Sequence, residues 1–134
     1  MPMNEDYICP KCGGYLKVKH HIILLTKNSK GDSALVLLSP EVGDYSFKIH
    51  PSVKIADGEH TNFICPICYE NLNSEDLDKN LARLTRIDEN GHKSDVVFSQ
   101  IKGEKCTFKI TEHGIEAYGD HTENYLNHFG LQSE

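Results

Sequence analysis

Three features of this chain predict an all-β fold. Short apolar and β-branched runs recur along its 134 residues, separated by clusters of Gly, Asn, Asp and Pro. Helical spacing is confined to two short stretches, Leu77/Leu81/Leu84 and Tyr125/Leu126/Phe129. Two C-x-x-C turns, Cys9-Pro10-Lys11-Cys12 and Cys65-Pro66-Ile67-Cys68, stand 52 residues apart, where one shared ion would tie distant strands together.

Each C-x-x-C turn places two thiolates close enough for one ion. Two turns complete the tetrahedral four-sulfur set that zinc favours, so the metal ligands predicted are Cys9, Cys12, Cys65 and Cys68. Iron fits the same four thiolates, and the ligand set does not separate the two metals. Disulfides are the competing reading. The acidic opening Met-Pro-Met-Asn-Glu-Asp lacks the basic and apolar regions of a signal peptide, so a reducing cytoplasm is expected. A redox C-P-x-C pair would need a helix starting at its first cysteine, and Gly13-Gly14 opposes that helix.

Cys-Pro-Lys-Cys-Gly and Cys-Pro-Ile-Cys, preceded by Tyr7-Ile8 and Phe63-Ile64, resemble the knuckles of zinc ribbons and rubredoxin-like folds. The resemblance covers the eight knuckle residues and their flanks. It implies that each knuckle caps a β-hairpin and that backbone N–H groups in the turn donate to the sulfurs. Glycine after a knuckle's second cysteine eases the turn by tolerating positive φ. The first knuckle has Gly13 there; the second has Tyr69.

After the first knuckle, residues 15–25 read as one strand that passes from half-exposed to buried. The turn cluster at 28–32 and the apolar run 34–38 make a hairpin with it. Residues 45–49 alternate, 53–55 follow Pro51, and Asn62-Phe63-Ile64 leads into the second knuckle. The spacing between knuckles thus implies strands inserted between the halves of a ribbon. Beyond it, a loop or single helical turn at 71–80 precedes a strand over 81–88. Asp88-Glu89-Asn90-Gly91 signals a hairpin to 96–101. Cys106-Thr107-Phe108-Lys109-Ile110 and Gly114–Tyr118 complete an antiparallel meander. A short helix over 120–130, ended by Gly130, would place Tyr125, Leu126 and Phe129 on one face, a stripe that most simply covers the protein's own core and otherwise docks a partner. No internal repeat or linker is visible. A single domain over 1–134 is expected, its metal-knuckle half at 1–72 and its meander half at 73–134.

The formal net charge is −6, and four thiolates around one divalent ion add about −2 by charge counting. Nucleic acid is disfavoured as a partner on this ground, leaving Lys11, Lys17, Lys19 and Lys27 as the weakest of three functional readings. No apolar run is long enough to cross a bilayer. Residues 61–134 hold 13 Asp+Glu against 7 Lys+Arg, an acidic half whose last 24 residues, with Tyr125 and Phe129, suit either a solvated face or a basic partner. His20 and His21, adjacent in the expected strand, point to opposite faces. His121 and His128 lie two helical turns apart, and His50, His60, His92 and His113 sit near turns, so no histidine metal site is expected. Cys106 reads as a small buried side chain. Phosphate-binding glycine loops, nucleophile elbows and H-E-x-x-H helices are absent from the sequence, and four cysteines leave a metal no open position. The sequence therefore reads as a zinc-stabilised, non-enzymatic protein-interaction or regulatory module with an unidentified protein partner. A homodimer is the expected assembly, since a sheet of this size must cover its edges. A rubredoxin-like iron electron carrier is the alternative.

Overall fold

The computed structural model describes residues 5–74 and 77–125. Two antiparallel sheets account for all of its strands. The first strand, β1 (Asp6–Ile8), leads into the first knuckle, and β2 (Lys17–Val18) leaves it. β3 (His21–Lys27), β4 (Ser33–Leu38) and β5 (Phe47–Ile49) follow. β6 (Asn62–Ile64) enters the second knuckle and β7 (Asn73–Ser74) leaves it, before β8 (Asp78–Ile87), β9 (Lys93–Ser99), β10 (Thr107–Thr111) and β11 (Gly114–Tyr118). One sheet runs β1-β8-β9-β10-β11 with β7 also on β8; the other runs β2-β3-β4-β5 with β6 also on β3. The predicted all-β class and the β8-to-β11 meander are both present.

Four local expectations change. In place of the loop or single helical turn expected over 71–80, residues 73–74 form β7 and β8 already begins at Asp78. Residues 15–25 are not one strand, because the chain reverses at Lys19-His20, where Lys19 takes φ 55, and Val18 pairs back with His21. His20 therefore lies in a turn and His21 opens β3. Residues 53–55 form no strand; His50 accepts the Val53 N–H in a turn after Pro51. Of the helix expected over 120–130, Thr122–Asn124 form a single 3₁₀ turn, and residues 126–130 lie outside the described residues.

The register also shows a duplication that the sequence reading missed. Thr26 pairs with Ala34 and Val36 with Ile49; Arg86 pairs with Ser94 and Val96 with Lys109, the same pairs displaced by 60 residues. The tight turns repeat as well. Asn28 Oδ1 accepts the N–H groups of Lys30 and Asp32, and Asp88 Oδ1 accepts those of Asn90 and His92. Across the knuckles the displacement is 56: Ile8 bridges to Tyr15 as Ile64 bridges to Asn71.

The two halves exchange strands. β1 pairs with β8 of the second half (Ile8 with Thr85), and β6 pairs with β3 of the first (Ile64 with Leu25). Each knuckle hairpin consequently places one arm in each sheet. Between the sheets lies a core of equivalent residues from both halves: Leu16 and Leu72, Leu24 and Leu84, Val36 and Val96, all nearly inaccessible to solvent. A second cluster, Leu81, Val97, Cys106 and Phe108, lies apart from this core and is packed by Tyr125.

Candidate metal centre

Both knuckles are built by the same backbone pattern. Gly13 N–H donates to Cys9 O and Cys9 N–H to Gly14 O; Tyr69 N–H donates to Cys65 O and Cys65 N–H to Glu70 O. The pattern requires a left-handed residue after the second cysteine. Gly13 supplies it with φ 74, and Tyr69 adopts it with φ 62. A Cβ on Gly14 would meet Ile67 Cδ1, the end of an exposed side chain on the other knuckle, so a larger residue there requires Ile67 to move.

The four sulfurs of Cys9, Cys12, Cys65 and Cys68 all lie within 4.8 Å of one another. Cys9 Sγ stands 3.8 Å from Cys68 Sγ, and Cys12 Sγ 3.8 Å from Cys65 Sγ. A tetrahedron with metal–sulfur bonds of ~2.3 Å has edges of about 3.8 Å, so the cluster has the dimensions of a four-thiolate cage. Backbone donors surround it. Cys9 Sγ accepts from the N–H groups of Lys11 (3.3 Å) and Cys12 (3.4 Å), Cys12 Sγ from Gly14 (3.4 Å), and Cys65 Sγ from Ile67 (3.4 Å) and Cys68 (3.5 Å). These donors favour thiolate charge.

Burial works against that charge until a cation arrives. It raises the Cys9 thiol and pushes Cys65 up to about 12, whereas the Gly14 N–H lowers exposed Cys12. Metal loading therefore displaces protons, and acid opposes it. The cluster can bind one metal ion, with every tetrahedral position supplied by the chain.

Among the described residues this is the one group of three or more His, Cys, Asp or Glu side chains so arranged. The histidines are dispersed: His92 lies beside Asp88, His113 beside Glu112, and His121 Nδ1 accepts the Lys105 N–H. His128 lies outside the described residues. Cys106 is fully buried, its thiol pushed up to about 12 by burial and the Glu104 charge. Tyr125, on the stripe expected to cover its own core or to dock a partner, is buried in the second cluster and donates to Glu104 Oε1, while Phe129 lies outside the described residues. Lys17 is engaged by Glu5, its ammonium 2.8 Å from the Glu5 carbonyl oxygen. No helix among the described residues is long and apolar enough to cross a membrane. Comparison with family models, with curated proteins and with solved structures finds no match.

Proposed function

We propose that the four thiolates hold a structural zinc ion in a zinc-ribbon-like site, and that the protein is a non-enzymatic interaction module. The observation that carries the metal reading is the sulfur cage itself, assembled from two knuckles with two edges of 3.8 Å, all four sulfurs within 4.8 Å of one another and no position left to a substrate. A structural ion here joins both halves and both sheets, since each knuckle has an arm in each.

The interaction reading rests on the outer face of the β3-β4 sheet. Ile23 faces Leu37, and Leu25 faces both Leu35 and Ile64, so these five side chains share one face. Leu35 is 54% exposed. The equivalent positions of the other sheet are Arg83, Thr85, Asp95, Val97 and Ile8, three of them polar. An apolar patch open to solvent at Leu35 and half-exposed elsewhere, with largely polar residues at the equivalent positions of the duplicated sheet, suits association, and a second copy of the chain is its proposed occupant.

Protein purified without added metal is expected to be colourless with one zinc per chain. A red protein with one iron per chain would replace this reading with electron transfer. Light scattering is expected to give a dimer mass that falls to the monomer mass on Leu35→Glu substitution, with metal content unchanged. A monomer mass for the unsubstituted protein at high concentration would contradict the proposed occupant.

A further inference from the structure

A cavity of about 320 Å³ lies between the two sheets. Ile22, Val36, Leu38, Leu84, Val96 and Phe98 line its interior. Several of these are equivalents in the duplication, Val36 with Val96 and Leu38 with Phe98, so both halves contribute to the lining. The connections after β4 and after β9 form its mouth, where exposed Gly43 and its equivalent Gly103 line it.

Thr61 also lines this space. It is 3% exposed, and its N–H donates to Gln100 O at 2.8 Å. Its hydroxyl oxygen is buried and finds no hydrogen-bond partner among the described residues. The hydroxyl is sealed from water at the cavity wall, so a ligand group reaches it on rotation of the Thr61 side chain about χ1, and pairing it would remove the cost of a buried unpaired hydroxyl. Neighbouring polar groups are already committed. Gln100 accepts the Phe63 N–H and donates to Lys79 O, Tyr7 OH donates to Pro40 O, and Tyr45 OH donates to Tyr118 O.

The volume is about twice the ~150 Å³ of an apolar cavity that takes benzene, and falls in the lower part of the range for small-molecule sites. At the mouth Glu41, Asp44, Asp57 and Glu104 outnumber Lys102 and Lys105, and Lys102 is held by Ile55 O at 2.8 Å. That balance disfavours an anion. We propose that the inter-sheet cavity is a binding site for a small, largely apolar molecule, uncharged or cationic, of two-ring size, with one hydrogen-bonding group that meets Thr61. The site is separate from the cysteine cluster, and none of the four cysteines lines it.

The chain has no tryptophan, so the fluorescence of 2-naphthol is read without indole background. Titration of the metal-loaded protein is expected to show saturable one-to-one binding of 2-naphthol. Thr61→Val, which keeps the shape and removes the hydroxyl, should weaken 2-naphthol about five- to tenfold and leave naphthalene unchanged. Val42→Phe, which fills the cavity from the mouth connection, should abolish binding of both while metal content stays at the unsubstituted level. The anion 2-naphthoate should bind more weakly than 2-naphthol. Absence of saturable binding for both neutral probes, equal 2-naphthol affinity in Thr61→Val, or tighter binding of the naphthoate would each overturn the proposal.

Discussion

Tyr69 stands in the backbone conformation that glycine takes in the first knuckle, and its side chain is 73% exposed. Its packing therefore contributes little to offset the strain of a left-handed non-glycine residue, about 1–2 kcal/mol. At Gly13 a Cβ would meet nothing within 4 Å, so substitution there tests backbone strain alone. Gly13→Ala is expected to cost about 1 kcal/mol, and Tyr69→Gly to be neutral or stabilising by up to about 1 kcal/mol. Urea unfolding of the metal-loaded variants measures both. The paired turns allow a second comparison, because Asn28 and Asp88 accept equivalent pairs of N–H groups. The His92 N–H holds the Asp88 carboxyl below its ordinary range. A depressed folded value means that its contribution is present above the unfolded carboxylate pKa and is lost as pH falls through the folded one. Asp88→Asn should keep the turn, as Asn28 does, and flatten the acid limb of the stability–pH curve below about pH 4. An acid limb unchanged by the substitution would assign that dependence to other carboxylates.

Among the elements, the strands with clear turn signals were legible in the sequence, and those set by partners elsewhere in the chain were not. The Asp88–Gly91 signal and the runs at 34–38 and 114–118 gave their hairpins directly. Nothing local marked the reversal at Lys19-His20, because a lysine at positive φ carries no sequence sign and the flanking apolar residues read continuously. The duplication was hidden for a different reason. Over residues 23–49, displacement by 60 leaves identical only Leu24/Leu84, Gly31/Gly91, Val36/Val96, Ser39/Ser99 and Gly43/Gly103. The visible Phe-Lys-Ile recurrence at 47–49 and 108–110 is displaced by 61, one residue out of the structural register. Equivalence is retained where the core needs it. Leu24 and Leu84 are 0% and 1% exposed at the same place in β3 and β8. Leu24→Ala and Leu84→Ala should each cost about 2–5 kcal/mol, and by similar amounts, in denaturant unfolding. A large inequality would mean that the two halves do not share the core evenly.

At the scale of the whole molecule, two sheets from a duplicated chain are joined by exchanged strands, a shared core and the knuckles. The cysteine spacing made the four-sulfur cluster readable from the sequence, because C-x-x-C constrains sulfur positions locally. The cavity around Thr61 was not readable, since it depends on how two sheets face each other across the duplication. One ion held by both knuckles would fasten the halves together. Cys68→Ser removes one thiolate from the second knuckle and leaves the first intact. Metal content by elemental analysis, read together with the thermal unfolding midpoint of the same samples, tests whether both knuckles hold one ion. One metal ion per chain is expected in the unsubstituted protein. Cys68→Ser should lose most of it and lower the midpoint as far as chelation does. Full metal content with an unchanged midpoint in Cys68→Ser would contradict a shared site.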